Sequence, residues 1–242
     1  MLKKPFLSVI IPAYDEAERL PLTLIDVDRY LSQQKYGYEI IVVNNGSSDN
    51  TREIVKKFAA LIRGVRLIDN EVNRGKGGGI RRGMLEAKGE WRLCMDADNA
   101  TSINELEKAL PYLQKQKRVI IGSRYLSGSE IKKDMPYSRR WVERLLTYWY
   151  RVLSLLKGVR DPHCGFRCFS RKAAEEIFPI SKVNGWASDI ETLALAQKLG
   201  YEIKEIPVAW RHDCRSKMAT PLVDYWKLLC QTLKIKRWIN TI

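Results

Sequence analysis

Apolar residues in this chain fall into short β-branched runs, separated by longer stretches in which they recur at helical spacing. Leu7-Ser8-Val9-Ile10-Ile11, ended by Pro12, predicts a buried strand. From Glu18 to Gln34, leucines and Ile25 return at near-helical intervals and predict a helix. Glu39 to Val43 is a second buried strand, broken by Asn44-Asn45-Gly46-Ser47-Ser48. Asp49 or Asn50 is placed to cap a helix with Ile54, Val55, Phe58 and Leu61 on one face, and Gly64 to stop it. Val65 to Ile68 is a third strand. A glycine-rich loop, Asn73 to Gly79, then leads into a helix ending near Gly89. Trp91 to Met95 is a fourth strand and runs into Asp96-Ala97-Asp98. Thr101 or Ser102 caps a helix through about Gln116, and Val119 to Ile121 is a fifth strand.

Strands alternating with helices at this spacing predict an α/β fold, a Rossmann-like and mainly parallel sheet flanked by helices. The second half is less regular. Trp141 to Leu156 is aromatic and apolar with Arg144 and Arg151 interspersed, and Phe166 to Phe169 reads as a strand before a helix capped by Ser170. A helix over Asp189 to Leu199, a strand over Tyr201 to Trp210 and an amphipathic, basic helix over Pro221 to Ile242 complete the chain. With no repeat or linker, 242 residues suit one domain. Its nucleotide-binding half spans about 1–125, and its second half, with the peripheral helices, about 126–242.

Charge narrows the partners. Forty-two Lys and Arg against 28 Asp and Glu give +14, a surplus that attracts polyanions such as nucleic acid, anionic lipid headgroups or phosphorylated substrates. No recognised nucleic-acid module is present, so nucleic acid is not expected as a partner. The five cysteines form neither a CxxC pair nor a zinc pattern, and their odd number argues against a disulfide framework. A reducing, cytoplasmic compartment is expected. Nothing resembles a secretory signal and no run of eighteen apolar residues occurs, so membrane contact is expected to be peripheral.

Ligands of such sheets bind beyond the carboxyl ends of the strands. Pro12-Ala13-Tyr14, Asn44 to Ser48, Asp96 to Asp98 and Gly122-Ser123-Arg124 all fall there. Asp96 and Asp98 offer hard oxygen ligands for a divalent cation, whose shell diphosphate oxygens can complete. Asn73 to Gly79 offers backbone N–H groups, a helix N-terminus and Lys76 to a phosphate, although it matches neither a Walker A loop nor GxGxxG; a flexible connection is the plainer reading. His163 and His212 sit near no Ser or Cys nucleophile in a recognisable pattern, so a triad is not expected. For Trp141 to Leu156, a membrane interface and a helix packed on its own domain both remain open.

The series Val9-Ile10-Ile11-Pro12-Ala13-Tyr14-Asp15-Glu16, Val42-Val43-Asn44-Asn45-Gly46-Ser47 and Asp96-Ala97-Asp98 resembles the inverting family 2 glycosyltransferases. A closer likeness is to the dolichyl-phosphate β-glucosyltransferases. It rests on Asn73 to Gly83, Asp96 to Thr101, Gly122-Ser123-Arg124, Arg160 to Phe166, Trp186 to Glu191 and Ser216-Lys217. The dolichyl-phosphate mannose synthases are more distantly similar. The resemblance implies a GT-A fold and a donor pocket of Pro12, Ala13, Tyr14, Glu16, Asn45, Gly46, Ser47, Lys76, Asp96, Ala97 and Asp98. Asn45 stands where the family usually has a base-contacting Asp, and Ala100 where the mannose synthases offer a third metal-binding side chain.

The resemblance further implies transfer of a hexose, glucose from UDP-glucose first and mannose from GDP-mannose second, to a polyprenyl phosphate at a membrane's cytoplasmic face. Mg2+ or Mn2+ on Asp96 and Asp98 is the implied cofactor. Arg124, Arg139, Arg140, Arg211 and Lys217 are the candidates for the acceptor phosphate, since an Arg fork binds phosphate oxygens in pairs. Asp189 stands where relatives with hydroxyl acceptors place a catalytic base. A soluble sugar, lipid or protein acceptor, a nucleotidyltransferase and a non-catalytic basic binding protein are the competing readings.

Overall fold

The computed structural model describes residues 4–114, 118–133, 137–153, 155–211 and 221–242. Its centre is a seven-stranded sheet in the order β3-β2-β1-β4-β7-β5-β8. The strands are β1 (Leu7–Ala13), β2 (Tyr38–Asn45), β3 (Val65–Asn70), β4 (Trp91–Cys94), β5 (Arg118–Ser123), β7 (Arg167–Ser170) and β8 (Glu202–Pro207). Between β5 and β7 lies β6 (Glu130–Lys133), which pairs in parallel with β9 (Ala209–Arg211) as a second, two-stranded sheet. Helices α1 (Leu20–Leu31), α2 (Thr51–Leu61), α3 (Gly75–Glu86), α4 (Leu106–Ala109), α5 (Tyr137–Val152), α6 (Arg171–Ile177), α7 (Ser188–Lys198) and α8 (Pro221–Ile239) complete it.

The central strands are apolar on both faces because both are covered. Ile10, Ile41 and Val43 pack on one side with α3, α6, α7 and α8, whereas Val9, Ile11, Ile40 and Val42 pack on the other with α1. The predicted first five strands and the helices between them are present, with three differences. The glycine-rich loop is largely helix, since α3 begins at Gly75. The helix expected from Ser102 to Gln116 is only α4 between two 3-10 turns. Ser102 caps the first, and Pro111 opens the second, its missing N–H breaking the helical ladder. The strand expected from Tyr201 to Trp210 divides after Pro207 into β8 and β9.

One departure from parallel order shapes the site. Strand β7 enters between β4 and β5 antiparallel to both, with Cys94 opposite Arg167. Its first residues therefore lie beside the last of β4, and the loop before it is delivered to the carboxyl ends of the parallel strands. Ser170 ends β7 and caps α6, its hydroxyl accepting from the Ala173 N–H at 3.2 Å.

Candidate active site

The carboxyl ends of β1, β2, β4 and β5 open into a cleft of 420 Å³. Of the residues expected there, Pro12, Ala13, Tyr14, Glu16, Asn45, Lys76, Asp96, Ala97, Asp98, Arg124 and Asp189 line it. Continuing the Cys94–Arg167 register two residues outward puts Gly165 against Asp96. A Cβ on Gly165 would fall inside the Asp96 carboxylate, so only glycine lets that carboxylate reach the cleft. Gly165→Ala should therefore displace Asp96, cutting any activity that depends on that carboxylate roughly a hundredfold while the melting temperature moves little. An activity assay beside a thermal scan checks this, and a fully active Gly165→Ala would refute the packing account.

Cations face both carboxylates. Lys76 Nζ lies 2.7 Å from Asp96, and Arg19, which also forks onto Glu16, places a guanidinium nitrogen 3.7 Å from Asp98. Burial, and then the neighbouring Asp96, pushes the Asp98 carboxyl up to about 6. Burial alone would lower the Lys76 ammonium, but Asp96 and Asp189 hold it above its ordinary value. Two hard oxygen donors sharing a partly dry site, one of them unfavourably charged, match what a divalent cation requires. Among the described residues no cluster of three His, Cys, Asp or Glu is arranged to hold a metal. The Ala100 N–H instead donates to Asp98 at 3.0 Å and orients it.

The end of β2 and the loop after it are tied into the surrounding chain. Asn45 donates to Asn73 and to the Gly75 carbonyl, both at 3.0 Å, and accepts from Asn70 at 3.1 Å and the Arg74 N–H at 3.2 Å. All four of its amide positions are thus engaged within the protein, and Asn45 lines the cleft while fixing the entry to α3. Gly46 and Ser47 do not line the cleft; the Ser47 hydroxyl accepts from the Asp15 N–H at 3.0 Å and ties the β1 loop to the β2 loop. The glycine-rich N–H groups are engaged too. Gly75 donates to Asn73 at 2.7 Å, and Gly77 and Gly78 to the Asn184 carbonyl at 2.7 and 3.3 Å. These N–H groups are therefore not free to cradle a phosphate; the segment presents Asn73, Gly75 and the Lys76 ammonium to the cleft.

On the opposite wall, Arg124 is 5% exposed and forks onto Asp161 at 2.7 and 2.7 Å, with Glu143 of α5 at 2.9 Å. Asp161 also accepts from the Arg124 backbone N–H at 2.9 Å. Burial would raise the Asp161 carboxyl, but Arg124 holds it below its ordinary value. Asp189, at the start of α7, pairs with Arg167; burial again opposes ionisation, and Arg167 followed by Lys76 overrides it. Arg211 is exposed and does not line the cleft; its backbone N–H holds the Ala100 carbonyl at 2.8 Å. The side chains of Arg139 and Arg140, and all of Ser216 and Lys217, lie outside the described residues, as does His212.

The cleft also takes residues that the sequence left without a role. Arg19, Glu143, His163, Gly165, Trp186 and Trp210 all line it. Of these, His163, Gly165 and Trp186 stand in segments that carry the family resemblance, whereas nothing in the sequence marks Arg19 or Glu143. Leu146 of α5 and Leu228 of α8 give the cleft an apolar side, and Trp149 of α5 donates to Thr232 of α8 at 3.1 Å.

An Asp-Ala-Asp turn closing a parallel strand, faced by an inserted antiparallel one, within this strand order, places the protein in the GT-A class of glycosyltransferase folds. Glucosyl-3-phosphoglycerate synthase from Mycobacterium tuberculosis, solved with Mn2+, UDP-glucose and phosphoglyceric acid, has the same fold. It matches with a TM-score of 0.70 at 17% identity, over 96% of this chain and 80% of that one. The glycosyl transferase family 2 profile matches residues 8–178, and the chain belongs to that family. The dolichyl-phosphate β-glucosyltransferase of Dictyostelium discoideum is 34% identical over 88% of this chain and 68% of its own length. The human enzyme of that name is 37% identical over 92% of this chain and 71% of its own length. The protein is thus a glycosyltransferase.

Proposed function

We propose that this enzyme transfers glucose from UDP-glucose to a polyprenyl phosphate of the dolichyl type, with inversion at the anomeric carbon. The sugar and the acceptor follow the relatives' names, which hold over about nine-tenths of the chain. The observation that carries the phosphate acceptor is the state of Asp189. A hydroxyl acceptor must lose a proton in the transition state and needs a base, and a buried carboxylate already ion-paired with Arg167 is a poor one. A phosphate acceptor is already ionised near neutral pH, with a second pKa of about 6, and needs none.

In this reading an acceptor oxygen attacks the anomeric carbon as its bond to the diphosphate breaks. Asp189 then orients the sugar hydroxyls or Arg167. Pro12, Ala13, Tyr14 and Glu16 hold the nucleoside, and Lys76 faces the departing diphosphate. Asp96 and Asp98 are the residues that would hold Mg2+ or Mn2+, which would supply positive charge to offset the negative charge developing on the leaving group. Arg124 is the described arginine on the far wall, and it engages an acceptor phosphate only in competition with Asp161 and Glu143.

Attachment to the cytoplasmic face of an anionic membrane is assigned to α5 and α8. Trp141, Leu145, Tyr148 and Val152 are exposed at helical spacing on α5 beside exposed Arg144 and Arg151, and Trp226 is exposed on α8. Among the described residues no helix is long and apolar enough to cross a membrane. The test is transfer of labelled glucose from UDP-glucose to polyprenyl phosphate with Mn2+ or Mg2+. Parallel reactions contain polyprenol lacking the phosphate, GDP-mannose, or a chelator. Label should enter the lipid only with the phosphate, UDP-glucose and metal; equal transfer to the unphosphorylated alcohol would overturn the acceptor assignment.

A further inference from the structure

Resting on the donor reading above, we propose that Trp186 is the platform on which the transferred hexose packs, and that it selects equatorial, glucose-like rings. The transferred sugar is bonded to the diphosphate, so it must lie next to the pole of the cleft that holds Asp96 and Lys76. The indole of Trp186 stands at that pole: Lys76 Nζ is 2.7 Å from Asp96 and 5.2 Å from the centre of the Trp186 ring. Asp189, three residues on, lines the same cleft.

The indole is 43% exposed, a large apolar area to leave at the edge of a polar cleft unless something covers it. Its backbone is held on either side. The Gly185 carbonyl accepts from the Ser188 N–H at 3.2 Å, Ala187 is fully buried, and the Asn184 carbonyl caps α3. The backbone that carries the ring is therefore held in place before a ligand arrives.

The chemistry of the ring decides which ligand suits it. A glucopyranosyl ring carries its ring hydroxyls equatorially, so its two faces are made of C–H groups that an aromatic face can cover. The indole's negative face also favours the positive charge that gathers on the sugar in a dissociating transition state, as it does a cation. A galactosyl ring turns its 4-hydroxyl axial and places a polar group over one of those faces. Covering that hydroxyl with an indole costs it a hydrogen bond to water.

The test is calorimetric titration of UDP, UDP-glucose and UDP-galactose into the wild type, Trp186→Ala and Trp186→Phe, all with Mn2+. Trp186→Ala should weaken UDP-glucose roughly fivefold to tenfold, leave UDP within about twofold, and bring the glucose-to-galactose ratio close to one. Trp186→Phe, which keeps an aromatic face, should restore most of that ratio. A purely structural tryptophan would weaken UDP and UDP-glucose alike, and that result, or an unchanged ratio in Trp186→Ala, overturns the proposal. If the wild type takes GDP-mannose and not UDP-glucose, the donor reading fails by itself, and GDP against GDP-mannose then decides the role of the indole.

Discussion

Asp98→Ala should reduce sugar transfer at least about a thousandfold, because it removes one of the two carboxylates that would hold a metal opposite a leaving diphosphate. The same substitution should leave the fold as stable as before, or more so, when no metal is present. Asp98 is held in a largely dry site beside Asp96, where its carboxyl rises to about 6, so at neutral pH the folded state carries a carboxylate it disfavours. The sign follows from linkage. A raised acid pKa means that the folded chain binds more protons than the unfolded one between roughly 4 and 6, so stability falls as pH rises through that window. Transfer assays and thermal scans of both proteins in chelator check the two halves. Full activity in Asp98→Ala, with chelator present, would remove the metal from the mechanism.

Most of this site was legible because parallel strands announce themselves. A run such as Val9-Ile10-Ile11, or Ile40 to Val43, is apolar throughout only when both sheet faces are covered, and the strand end that follows is where ligands lie. Asp96-Ala97-Asp98 was found in that way. Strand direction leaves no such mark, so β7 gave no sign that it runs antiparallel between β4 and β5. The role of Gly165 depends on that register alone. Strand β6, Glu130-Ile131-Lys132-Lys133, has a single apolar residue and borrows its order from β9.

The glycine-rich segment misled for a physical reason. Glycine disfavours helix by about 1 kcal/mol relative to alanine, so five glycines in the first nine residues of α3 read as loop. What outweighs propensity there is close approach: a Cβ on Gly83 would meet Ile10 at 2.5 Å and Val43 at 2.9 Å. The helix thus lies almost on the sheet, which brings Lys76 to Asp96. Glu143 was invisible for another reason, since one acidic residue in the basic, aromatic stretch of α5 reads as a surface charge until Arg124 is placed opposite it.

That pair leads to the largest expected effect on stability, from Asp161→Asn. Asp161 is 1% exposed, takes Nε and Nη2 of Arg124 in a bidentate pair and is itself held by its backbone N–H to Glu205 at 2.9 Å. Breaking a buried pair from one side costs about 3–5 kcal/mol. For a chain of this size that is roughly 6–20 °C in melting temperature. Because the folded carboxyl sits below its unfolded value, this stabilisation is complete above about pH 4 and is lost as pH falls through the folded pKa. The gap between the wild type and Asp161→Asn should therefore be wide at pH 7 and narrow on acidification below about 4; an equal gap at pH 3 would mean that packing, not charge, holds the segment. Transfer should fall as well, because Asp161 anchors the segment that ends in Gly165, and Gly165 sets where the Asp96 carboxylate stands. Arg124→Ala leaves Asp161 and Glu143 facing each other without their cation. Its loss of activity therefore measures acceptor binding only after the loss of fold shared with Asp161→Asn has been subtracted.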